Sequence, residues 1–217
     1  MKDNSTLRTG YWLSLLVLLM GVAYFGLLTV ALASAGMPPV EPYQSLIGIV
    51  TLLVAPCMIL LWAAVHYVTP AGKRAFSLGS LALMAIFATL TSINRYNALT
   101  AVPQAMAMGE IDGLEWFLPY GSHSIMLAME NLAWGFYYGL ACLCLAPAFG
   151  RGGLEKAVFW TLIASGGVSL ASALGYVLNN LLLSVLGPLA WGPGLILLTG
   201  LWMRWFKKQM PTQESIE

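Results

Sequence analysis

The chain has 217 residues, of which 59% are hydrophobic and 9% charged, with a formal net charge of +1. Soluble domains are about a quarter charged, so this composition, with its mean hydropathy of +0.78, excludes an ordinary soluble domain and points to a membrane chain. The basic residues are too few and too scattered to form a phosphate-binding stripe, which excludes nucleic acid as a partner.

In chain order, six hydrophobic segments are each long enough to cross a hydrocarbon core of about 30 Å at 1.5 Å per residue. They lie at about 11–34, 44–68, 76–101, 121–147, 157–179 and 183–206, predicting an all-α, polytopic six-helix bundle in a single integral membrane domain, 1–217. Proline and glycine punctuate the separators: "SAGMPPVEP" from 34, "TPAGKR" from 69 and "PAFGRGG" from 147. The fifth connection is readable in two ways. Asn179 and Asn180 form the turn, or the fifth helix runs on to Gly187 and Pro188 opens the sixth. Pro188 and Pro193 imply a bend or boundary there in either case.

Charge then orients the bundle. Lys2, Arg8, Lys73, Arg74, Arg151, Lys156, Arg204, Lys207 and Lys208 all fall at the termini or in the alternate connections on one side. The other side holds Glu41, Glu110, Asp112 and Glu115. The positive-inside rule therefore places both termini in the cytoplasm. The expected location is the cell membrane, in a bacterium the inner one, with the lipid bilayer as the first partner. Ala33-Ser34-Ala35 has the form of a signal-peptidase site, but about twenty apolar residues precede it, longer than a signal-peptide core of about 7–15. An uncleaved first helix is expected.

Metal and redox chemistry find little support. Cys57, Cys142 and Cys144 lie inside hydrophobic runs and read as small buried hydrophobes. His66 and His123 are the only histidines, and neither HExxH nor clustered carboxylates are present. No cofactor motif occurs, so neither a metal nor a cofactor is expected.

The longest connection is "PQAMAMGEIDGLEWFLPYGSH", 103–123. Trp116, Phe117 and Tyr120 suit an aromatic belt at the headgroups. Met108, Ile111, Leu114 and Leu118 share one side of a short interfacial helix, weakened by Gly109 and Gly113. A lid over an outward-opening pocket is the functional alternative.

The chemistry concentrates in the third and fourth segments. Glu130 lies nine residues in from Gly121, about 13 Å deep. A charged residue facing lipid there costs about 2.5–3.5 kcal/mol on insertion scales, so Glu130 must face other helices. His123, Glu130, Trp134 and Tyr137 share one helical stripe at intervals of seven, four and three, with Asn131 and Tyr138 on the neighbouring stripe. The third segment ends "ATLTSINRYNALT" and carries Arg95, the one basic residue away from the cytoplasmic side. It lies about 9 Å below the helix end, within reach of Glu130's level. An Arg95–Glu130 pair is predicted, direct or through water, supported by Asn94, Asn97 and Asn131. In the fifth segment Gly167, Ala171 and Gly175 form a small-residue ridge for close helix packing, within this chain or against a second copy.

Three functions follow. The first is binding or transport of a small amphiphile at an outward-facing polar pocket between spans three and four, lined by Glu130, Arg95, Asn131, Asn94, Asn97, His123, Trp134, Tyr137 and Tyr138. Against transport stands an inner half without evident polar residues. The second is an intramembrane enzyme acting on a lipid or isoprenoid-like substrate, with Glu130 as general acid or base. The third is a non-catalytic membrane assembly subunit in which the pair only specifies packing.

Overall fold

The computed structural model describes residues 4–36, 39–110, 112–118 and 124–211, and all regular structure among them is helical. Helix α1 spans Asn4–Ala35, α2 Tyr43–Val68 and α3 Arg74–Leu99. A short α4, Ala101–Met108, continues beyond a break at Thr100. The next helical run comprises α5 (Ile125–Glu130), a π-helical stretch (Asn131–Tyr137), α6 (Tyr138–Leu145) and a 3-10 turn (Ala146–Ala148). Then come α7 (Gly153–Val177), the short α8 (Leu181–Ser184) and α9 (Gly187–Leu189), a second π stretch (Ala190–Gly194) and α10 (Leu195–Gln209).

Five stretches are long and apolar enough to cross a membrane: Asn4–Ser34, Tyr43–Val68, Ala71–Met108, Gly153–Val177 and Leu181–Gln209. They mark a multi-pass membrane protein. The segment expected as the fourth of six spans is helical from Ile125 to Ala148, but its π stretch divides it, and it is not one of those five.

Both π stretches have local features beside them. At the first, the side-chain Nδ2 of Asn131 donates to the Leu127 carbonyl at 2.9 Å, which also accepts from the Asn131 N–H. The ladder then widens, and the Tyr138 N–H reaches back five residues to Ala133 O. At the second stretch Pro193 has no N–H to offer and its ring crowds the preceding turn. The first stretch also changes which side chains face inward. Tyr137, expected on the Glu130 stripe, is only partly buried, whereas Tyr138 is fully buried, because the wider turn advances the inward face by one residue.

The two readings of the fifth connection resolve to the asparagine turn. Helix α7 stops at Val177, Asn179 takes a left-handed φ of 51° that asparagine tolerates, and Asn180 Oδ1 caps α8 by accepting from Leu183 N at 3.2 Å. The expected interfacial helix is shorter than its apolar spacing suggested. Helix α4 ends at Gly109 in left-handed conformation, Gly113 is also left-handed, and a 3-10 turn covers Leu114–Phe117. Ile111 and Tyr120 lie outside the described residues. Met108 is exposed on the protein surface, without protein contacts covering it.

The long helices follow one another around a closed ring: α1 packs on α2, α2 on α3, α3 on α6, α6 on α7, α7 on α10, and α10 back on α1. Trp62, Phe87, Tyr138, Trp202 and Phe206 fill the middle without measurable exposure. The half of the bundle that holds the chain ends, where the sequence showed no evident polar residues, carries a polar seam. Trp62 Nε1 donates to Ser80 Oγ at 2.9 Å, Ser80 Oγ donates to Ala141 O at 2.6 Å, and His66 Nδ1 lies 2.8 Å from Ser77 Oγ. These bonds tie α2, α3 and α6 together with every partner supplied by protein. His66 is half-buried in that seam.

Candidate functional site

The end of α3 and the start of the α5 run are adjacent because the two elements run antiparallel and pack together. On α3, Asn94 and Arg95 are consecutive and both buried. They diverge by one helical step and straddle the single carboxylate of Glu130, itself buried at the end of α5. Arg95 Nη2 donates to Glu130 Oε1, forming an ion pair whose side chains are 6% and 9% exposed. Asn94 Nδ2 donates to Glu130 Oε2 at 2.7 Å. Both carboxylate oxygens are therefore engaged, and the charge expected within the membrane is neutralised by a direct contact.

The other expected members of the cluster go elsewhere. Asn131 turns its amide to Leu127 O and lines a cleft on the opposite side of the segment, facing α7. Asn97 is half-buried, with its carbonyl accepting from Thr100 N. His123 lies outside the described residues. Trp134 joins an aromatic cluster, edge-on to Phe87 with centroids 4.5 Å apart and stacked on Trp191 at 5.5 Å. Tyr138 packs beside the same rings, and Tyr137 meets Phe136 edge-on.

An open pocket was expected between spans three and four. The two segments are instead in direct contact there, and the clefts open elsewhere. One of about 490 Å³ lies between the α5–α6 run and α7, lined by Leu132, Phe136, Leu170, Leu174 and Val177 with Asn131 and Tyr176. A second, of about 630 Å³, lies at the end of the bundle where α7 ends and α5 begins, and includes Trp116, Ser124, Tyr176, Asn179 and Ser184. Ala128 and Tyr176 belong to both linings, so the two adjoin, an apolar slot beside a more polar mouth. A third cleft of about 380 Å³ lies between α7 and the α9–α10 run, and a small void of about 20 Å³ is bordered by Trp134 and Trp191. Neither Arg95 nor Glu130 lines any of these four spaces.

Local chemistry fixes the mouth. Ser124 caps α5, its Oγ accepting from Met126 N and Leu127 N, and the same hydroxyl donates to Trp116 O at 3.2 Å. The interfacial loop is thereby tied to the helix start, with Trp116 at the groove. Across the groove, Ser172 Oγ donates to Ser184 O at 2.8 Å and Ser184 Oγ donates to Asn180 O at 3.0 Å. Sequence reading missed Tyr176, Asn179 and Ser184 as groove residues. Their one signal was the uncharged, asparagine-bearing turn, whose proximity to Trp116 no spacing reveals.

The small-residue ridge packs within the chain at Gly175 but not at Gly167. Gly167 faces open space, while its neighbour Gly166 is buried against α6, where an added Cβ would sit 2.8 Å from Gly139 O. Gly175 is packed against the backbone of Leu183 and Ser184. Among the described residues no group of three or more His, Cys, Asp or Glu side chains could hold a metal ion. No protein-family model, no curated protein and no solved structure matches this chain.

Proposed function

We propose that this chain is a six-span membrane protein, with both termini cytoplasmic, that binds a small amphiphile in the side-opening groove between the α5–α6 run and α7. The carrying observation is that the apolar slot and the polar mouth share Ala128 and Tyr176. A chain of apolar carbons fits the slot while its head group stays at the mouth, the arrangement expected of small-molecule sites with a few polar groups in an apolar lining. The six-span reading counts the divided α5–α6 run as a crossing, since its helical residues total about 36 Å at 1.5 Å each. The basic termini and connections put the groove's mouth on the outer side.

The Arg95–Glu130 contact supports a second reading, a non-catalytic assembly subunit in which the pair specifies helix packing. Each of Glu130's oxygens already has a protein donor, and Glu130 lines none of the four clefts above.

The two readings separate in one experiment. The purified protein in neutral lipid nanodiscs is photolabelled with a diazirine-bearing dodecyl alcohol, and labelled peptides are mapped. Amphiphile binding predicts labelling concentrated at Ala128–Phe136 and Leu170–Val177, and its loss in Ala128→Phe and, independently, in Leu174→Trp. Labelling spread evenly around the bundle and unchanged by both substitutions would leave the groove filled by bulk lipid alone and favour the assembly subunit.

A further inference from the structure

Resting on the groove reading above, we infer that its mouth selects an amphiphile with a positively charged head, an amine or quaternary ammonium. Two aromatic side chains, Trp116 and Tyr176, stand in the lining of the mouth, and ring faces attract cations through their quadrupoles. The serine hydroxyls and helix-start N–H groups of the mouth are already committed. The first free N–H groups of α5, at Met126 and Leu127, point to Ser124 Oγ; the Ser124 and Ser184 hydroxyls donate to Trp116 O and Asn180 O.

Charge at this end of the bundle has the same sign preference. Glu41, Glu110, Asp112 and Glu115 are all exposed there, and Glu115 directly precedes Trp116. The basic side chain at this end among the described residues, Arg95, is buried with its charge matched by Glu130. A phosphate or carboxylate head would arrive at a face of its own sign. An ammonium head meets aromatic faces and a negative field. Exposed acids act over roughly one Debye length, about 8 Å at physiological salt, so their part of the preference weakens as salt is added.

The test uses the same photolabelling in nanodiscs, with three competitors sharing a dodecyl chain: dodecyltrimethylammonium, dodecyl maltoside and dodecanoate, compared at equal mole fraction in the bilayer. The expected order is ammonium first, displacing the label at roughly one fifth of the maltoside's mole fraction, the size of one exposed cation–π contact, and dodecanoate last. High salt narrows the gap, and Trp116→Leu removes most of it while leaving the label in the slot. A maltoside or dodecanoate that displaces as well as the ammonium overturns the head-group inference and leaves the groove intact. Failure of every competitor, with label insensitive to Ala128→Phe, overturns the groove reading itself.

Discussion

Asn94 and Arg95, neighbours on one turn of α3, each bind a different oxygen of Glu130. The carboxylate is held from two directions, so its orientation is set by α3 alone, and α5 cannot rotate without losing both contacts. A buried ion pair of this kind stabilises little relative to an apolar contact, but breaking it from one side leaves an unpaired charge.

Arg95→Gln and Glu130→Gln are each expected to destabilise the protein by about 3–5 kcal/mol, by analogy with soluble proteins. The double variant should recover a large part of the loss, because neither charge remains. Thermal unfolding in detergent measures all three. Additive losses in the double variant would show that the two side chains act on separate partners.

Thr91 lies one turn below Arg95 on α3, and its hydroxyl is fully buried without a hydrogen-bond partner. Thr91→Val is close to isosteric and removes only that hydroxyl, so it is expected to melt at or above the wild-type temperature. Thr51→Val is the contrast, since Thr51 Oγ1 donates to Ile47 O at 2.8 Å. A drop of more than about 1 kcal/mol in Thr91→Val would mean that an ordered water satisfies the hydroxyl.

Gly166 and Gly167 are adjacent in sequence and opposite in consequence. Gly166→Val would push a side chain into Leu143 and the Gly139 carbonyl, forcing α6 from α7, with an expected cost of about 1–3 kcal/mol or more. Gly167→Ala meets nothing within 4 Å and removes a flexible residue from a helix interior, so a gain of about 0.4–1 kcal/mol is expected. Equal losses at both positions would place an unseen contact, such as a second copy of the chain, on the Gly167 face.

Sidedness is checked by cysteine accessibility in cells, on a background with Cys57, Cys142 and Cys144 replaced. An impermeant thiol reagent is expected to label Glu110→Cys in intact cells and Lys208→Cys only after permeabilisation. The reverse pattern would invert the bundle and turn the groove mouth to the cytoplasm.

The sequence by itself determined the helical class, five of the stretches long enough to cross a membrane and the alternation of charge along the chain. Length, hydropathy and the distribution of Lys and Arg are one-dimensional properties, and the rise per residue converts them directly into spans. It also determined that Glu130 must find Arg95, since an isolated carboxylate at that depth is costly and the antiparallel neighbour offered the one available counter-charge. Tertiary structure alone decided whether that pair lines a cavity or closes on itself. Asn94 takes the second oxygen, so each carboxylate oxygen already has a protein donor. It also decided which face of the fourth segment is inward, because the π stretch widens the helical ladder and Tyr138, not Tyr137, enters the core. The groove was hidden for the same kind of reason. Trp116, Ala128, Tyr176 and Ser184 meet only because the Ser124 cap and the Asn179 turn fold two distant connections onto one end of the bundle.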